Sequence, residues 1–130
     1  MRTFLKGYAI LFGAVCALIA IGHIVMGPSI IPGSIPVNAS MDSEDRFYAT
    51  LFLGYGIAMI WSGLDLERRG QLFGWLLLVF FVAGISRLIS WALVGPPIGF
   101  FIVLTAIELL SPPVLWLLYR QAFSQATGRS

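Results

Sequence analysis

The sequence predicts an all-α integral membrane protein, a four-helix bundle with antiparallel neighbours and both termini in the cytoplasm. Three observations predict it. Of the 130 residues, 58% are hydrophobic and 11% charged, against about half and about a quarter in soluble domains. Four stretches are apolar enough to cross a hydrocarbon core about 30 Å thick, which takes about 20 helical residues. The basic residues Arg2, Lys6, Arg68, Arg69, Arg120 and Arg129 occupy the two ends and the middle connection, while Arg46 stands alone in the other two connections. Cytoplasmic segments carry the excess of Lys and Arg, so both ends face inward. A soluble enzyme is excluded by this composition. Net charge is +2 with no basic run, so nucleic acid is not an expected partner. Cys16 is the single cysteine, which rules out an intrachain disulfide and a thiol-built metal cluster.

The chain, residues 1–130, reads as one domain. The first span, 7–26, follows Arg2 and Lys6 as a signal peptide would, and Val37-Asn38-Ala39 has the small residues of a cleavage site. The apolar run is too long for a signal core and that site lies far beyond its end, so the helix is expected to be retained. The connection 27–45 is the longest, and Pro28, Pro32, Gly33 and Pro36 make it irregular and external. Its last part, Asp42-Ser43-Glu44-Asp45, offers an N-cap and carboxylates to the start of the second span, 47–64, where the helix dipole favours negative charge. The third and fourth spans, 72–94 and 99–119, are joined by Gly95-Pro96-Pro97-Ile98-Gly99, short enough to require antiparallel neighbours. Pro112 and Pro113 lack N–H groups, free the carbonyls of Glu108 and Leu109, and are expected to kink the fourth helix.

Close packing in lipid is signalled by small residues at helical spacing. The first span carries Ala9, Gly13, Cys16, Ala20, His23 and Gly27 on one face. The second places Tyr48, Tyr55 and Ser62 at sevens, with Gly54 and Ala58 beside them as a small pair. The third offers Ala83, Ser86, Arg87 and Ser90, and the fourth Thr105, Glu108 and Ser111. Such stripes are packing seams before they are ligand sites.

Two ionisable residues are costly for their depth. Counting from the external side at about 1.5 Å per residue, Arg87 lies about 10 Å deep and Glu108 about 14 Å, where a charge costs about 2.5–3.5 kcal/mol. The pair is expected to meet in a forked salt bridge. His23, Arg46 and Tyr48 lie in the same outer half, so the candidate ligand-binding residues are His23, Arg46, Tyr48, Tyr55, Arg87 and Glu108, around an outward-opening polar pocket. Two arginines against one carboxylate favour an anionic or strongly hydrogen-bonding head group. The competing structural reading makes Arg87 and Glu108 a register-fixing pair and Arg46 a cap residue held by Asp42 or Glu44. One His and one Glu are too few ligands for a metal, so no metal and no cofactor is expected.

Arg46-Phe47-Tyr48, Gly84-Ile85-Ser86-Arg87-Leu88, Val94-Gly95-Pro96-Pro97 and Ile107-Glu108-Leu109-Leu110 resemble a bacterial family, the domain of unknown function numbered four-three-four-five. The resemblance covers nearly the whole chain and implies a small four-helix protein of the bacterial inner membrane with no assigned reaction. The leading expectation is a non-enzymatic protein, either an accessory of a larger membrane complex or a binder of membrane lipid or an amphipathic small molecule. Alternatives are a membrane enzyme using Glu108 or His23 as acid/base on a hydrophobic substrate, and a small transporter built as a homo-oligomer.

Overall fold

The computed structural model describes residues 1–127 as four helices: α1 (Arg2–Met26), α2 (Ala39–Leu64), α3 (Gly70–Val94) and α4 (Gly99–Thr127), with a 3₁₀ turn over Gly27–Ile30 after α1. The all-α four-helix class is as expected, and each helix is long and apolar enough to cross a membrane. Arg129, counted above among the terminal charges, lies outside the described residues.

The helices outrun the spans, because a helix continues past the apolar stretch wherever the backbone can keep its hydrogen bonds. α1 starts at Arg2 rather than 7, and α4 runs through Pro112 and Pro113 to Thr127 rather than stopping at 119. α2 starts at Ala39 rather than 47. There the Asn38 carboxamide oxygen accepts the Met41 N–H at 2.8 Å, so Asn38 and not Asp42 is the N-cap. The long connection is therefore 27–38 rather than 27–45, and Asp42 sits in the first turn of α2. α1 ends at Met26; the Gly27 N–H makes the last helical bond, to the His23 carbonyl, and the Gly27 φ of 71° turns the chain out of the helix. A Cβ at Gly27 would also fall 2.7 Å from Asp42 Oδ1 and 2.8 Å from Arg46 Nη2, so this glycine admits the start of α2 against the end of α1.

Backbone meets backbone between α1 and α2. A Cβ on Gly13 would fall 2.5 Å from the Gly56 carbonyl oxygen, and one on Gly56 would fall 2.7 Å from that of Gly13; further along, Gly63 faces Ala9. The α1 face is the expected one, with Ala9, Gly13, Cys16 and Ala20 buried. On α2 the expected Gly54–Ala58 pair is not the seam: a Cβ on Gly54 would meet nothing, and the buried positions are Ala49, Gly56, Met59, Ser62 and Gly63. α2 has small residues on two faces, and only the one holding Gly56 and Gly63 fits the glycine groove of α1.

The close-packed core lies at the end that holds the chain termini, built from residues including Leu5, Met59, Leu66, Phe73, Leu77 and Leu115. Arg2 fastens this end, donating from Nε to the Ala122 carbonyl at 3.0 Å and from Nη1 to Glu67 at 3.2 Å. Halfway along, Phe12 sets its ring edge against Tyr55 and Phe80, with centroids 6.4 and 4.9 Å apart. Beyond that aromatic level, toward the 27–38 connection, most of the surface of α3 is exposed. Ser86 and Ser90 are exposed, Leu93 is 80% and Val94 85% exposed, and of the expected α3 stripe only Arg87 finds a polar partner among the described residues. Gly84 keeps α3 against α4 there, touching Leu109 and the Glu108 Cβ. One end of the bundle is dry core; the other, the loop end, is open.

Candidate functional site

The polar side chains gather at the loop end in three groups rather than one. In the first, Arg87 Nε donates to Glu108 Oε2 at 2.7 Å. Glu108 is 8% exposed and Arg87 38%. Counting depth along two adjacent helices placed these two together correctly, but the bridge is not forked. It uses Nε alone, and among the described residues neither Nη group of Arg87 has a hydrogen-bond partner. The guanidinium instead lies 5.6 Å over the ring of Phe101, close enough for a cation–π contact. Thr105, one turn before Glu108, returns its hydroxyl to the Phe101 carbonyl at 2.7 Å and so offers the carboxylate no competing donor.

The second group is His23 Nδ1 and Asp45 Oδ2, 2.9 Å apart. In the third, Arg46 makes the fork that Arg87 does not, from Nε to Asp42 Oδ2 at 2.8 Å and from Nη2 to Oδ1 at 3.4 Å. Its Nη1 donates to the Ile24 carbonyl at 2.6 Å, filling one of the acceptors that the last turn of α1 leaves open. These two groups clasp the end of α1 to the start of α2. Their spacing explains them: Asp42, Asp45 and Arg46 lie in the first turns of α2, after the Asn38 cap; of the two holders expected for Arg46 the structure uses Asp42 and not Glu44, while the pairing of His23 with Asp45 had no signal in the sequence. The expected surplus of positive charge is absent, since Arg46 is matched by Asp42, His23 by Asp45 and Arg87 by Glu108.

Tyr48 and Tyr55 stand apart from these groups. Tyr48 is 61% exposed, packed beside Phe47 with ring centroids 5.4 Å apart. Tyr55 donates its hydroxyl to the Leu76 carbonyl at 2.8 Å, at the aromatic level and not above it.

A hollow of about 440 Å³ opens between the 27–38 connection and the start of α4, walled by residues including Ile31, Ile35, Asp45, Pro97, Ile98 and Phe101. None of the six candidate residues lines it. Two of their direct partners do: Asp45, which holds His23, and Phe101, which lies under Arg87. The hollow thus runs between two polar groups along a mostly apolar wall, and sequence reasoning missed it because the crossing of the connection onto Ile98 has no local signature. Among the described residues no cluster of His, Cys, Asp and Glu has the makings of a metal site.

The model of a family described as Domain of unknown function (DUF4345) matches residues 4–119 of the chain. No curated protein and no solved structure matches it.

Proposed function

Because the chain belongs to the DUF4345 family, whose description assigns no activity, we propose a function from its own chemistry: it holds the head group of an amphipathic, lipid-like molecule at the loop end, without converting it. The setting is the bacterial inner membrane, with four antiparallel helices and both termini cytoplasmic. The observation that carries this reading is the half-used guanidinium of Arg87. A charge at membrane depth is costly and marks function by default, and this one is held at Nε by a buried carboxylate while its Nη donors have no partner among the described residues. Phe101, which touches the guanidinium and walls the hollow, relates the two. A head with an acceptor for Arg87 and a donor for Asp45 suits the balanced charge of the loop end, and a tail suits Ile31, Ile35 and Ile98.

Native mass spectrometry of the protein extracted in mild detergent tests this. The wild type is expected to carry an amphiphile adduct, and Arg87→Gln to lose it by about tenfold or more, the value of one charge-assisted hydrogen bond, with its helical circular dichroism unchanged. A wild type that carries no adduct, or a variant whose adducts equal the wild type's in both mass and number per chain, refutes the proposal. The orientation has its own check. With Cys16 replaced, a cysteine at Ser40 is expected to react with an impermeant maleimide from outside the cell, and one at Gln71 only after permeabilisation. Labelling of position 71 from outside would reverse the topology.

A further inference from the structure

We propose that the chain carries a second lipid site, at the opposite end of the bundle from Arg87: a groove between α3 and α4 that takes one acyl chain of an anionic phospholipid, with the phosphate on Arg120. The groove has a volume of about 500 Å³ and is walled by residues including Gln71, Leu78 and Phe81 of α3 and Pro113 and Trp116 of α4. Trp116 lies across Gly74, where an added Cβ would fall 2.7 Å from its ring, so the glycine lets the indole form the floor.

Length identifies the occupant. Gln71, Gly74, Leu78 and Phe81 follow one another at three- and four-residue steps along one face of α3. From Gln71 to Phe81 the helix rises about 15 Å, half of a hydrocarbon core about 30 Å thick. A transmembrane helix from a second copy or another protein would need a groove running the whole thickness; an acyl chain needs one leaflet. Charge identifies the head. Pro113, Trp116 and Arg120 also step by three and four, and Tyr119 meets Gly70, which sets Arg120 one turn beyond the groove wall at the level of Gln71. Arg120 is exposed, and among the described residues it has no hydrogen bond or ion pair. Two neighbouring cations at this end are engaged, Arg2 with Glu67 and Arg69 with the carbonyl and ring of Trp61. A long arginine at a helix end reaches the headgroup layer while its stem stays in hydrocarbon, and basic pockets between membrane helices select anionic heads. Trp75, on the groove wall, and Trp116 have the amphipathic rings that favour that boundary.

The test is native mass spectrometry of the full chain in mild detergent, supplied with equal amounts of phosphatidylglycerol and phosphatidylcholine. The wild type is expected to retain phosphatidylglycerol about fivefold better, the value of one arginine near an anionic lipid surface. Arg120→Gln is expected to bring the ratio to about one. Leu78→Trp, which fills the groove, is expected to lower retention of both lipids. Arg87→Gln is expected to leave the ratio as in the wild type, so failure here and failure of the loop-end site are separate results. Equal retention of the two lipids by the wild type, an Arg120→Gln variant that keeps the preference, or a lipid-free dimer would overturn the proposal. Circular dichroism shows that each variant is folded when it is scored.

Discussion

Glu108→Ala is expected to destabilise the bundle by about 3 kcal/mol, the lower end of the range for breaking a buried ion pair, since Arg87 is 38% exposed. It is also expected to cost more than Arg87→Ala. The asymmetry comes from the chemistry of the group left behind. A stranded carboxyl can take up a proton and become neutral, whereas a guanidinium stays charged, here beside the apolar ring of Phe101. The double variant is expected to cost less than the sum of the two single ones, with a coupling of about 1 kcal/mol or more. Unfolding in mixed detergent micelles, titrated with a denaturing detergent, reads all three. Simple additivity would mean that the 2.7 Å contact between Arg87 and Glu108 contributes nothing to stability.

The second large effect is steric. Gly56→Leu is expected to cost about 3 kcal/mol or more, at or beyond the top of the usual range for overpacking, while Gly54→Leu two residues away is expected to be neutral or to stabilise by up to about 1 kcal/mol. A Cβ at Gly56 would fall 2.7 Å from the Gly13 carbonyl oxygen and 2.8 Å from the Ala17 nitrogen, both backbone atoms that cannot step aside, whereas a Cβ at Gly54 meets nothing within 4 Å. Intrinsic helix propensity favours leucine over glycine at both sites alike, so the difference isolates the α1–α2 contact. The same unfolding measurement checks it. Equal effects at the two positions would mean that α1 and α2 do not approach as closely as their glycines allow.

The four spans were legible in the sequence because apolar length and basic flanks are properties of single segments. Arg87 and Glu108 were legible as a pair because a short connection fixes the relative depth of α3 and α4, and depth along a helix is simple arithmetic. What could not be read is everything that depends on rotation. Gly54–Ala58 and Gly56–Gly63 are equally good small pairs on paper, and only the partner helix chooses between them. The Asp42–Arg46 pair was legible as a local contact four residues apart, but the Asp45–His23 pair was not, because it joins α2 to α1 and depends on how the two helices are rotated. Together these pairs remove the apparent excess of positive charge from the loop end. Tyr48 and Tyr55 share a seven-residue spacing, yet the first is exposed and the second is spent on the Leu76 carbonyl, since α3 packs on α2 at the level of Tyr55 and has parted from it by the level of Tyr48.

Photo-crosslinking from the wall of the hollow tests the loop-end site most directly. A benzophenone side chain placed at Ile98, beside Phe101, and a control at Leu18, which is 70% exposed on α1, are irradiated in intact membranes and the adducts weighed. Binding at the loop end predicts one amphiphile of defined mass at position 98, lost when Arg87→Gln is added, and a mixture of bulk lipids at position 18 in both backgrounds. The same bulk mixture at both positions, indifferent to Arg87, would contradict it.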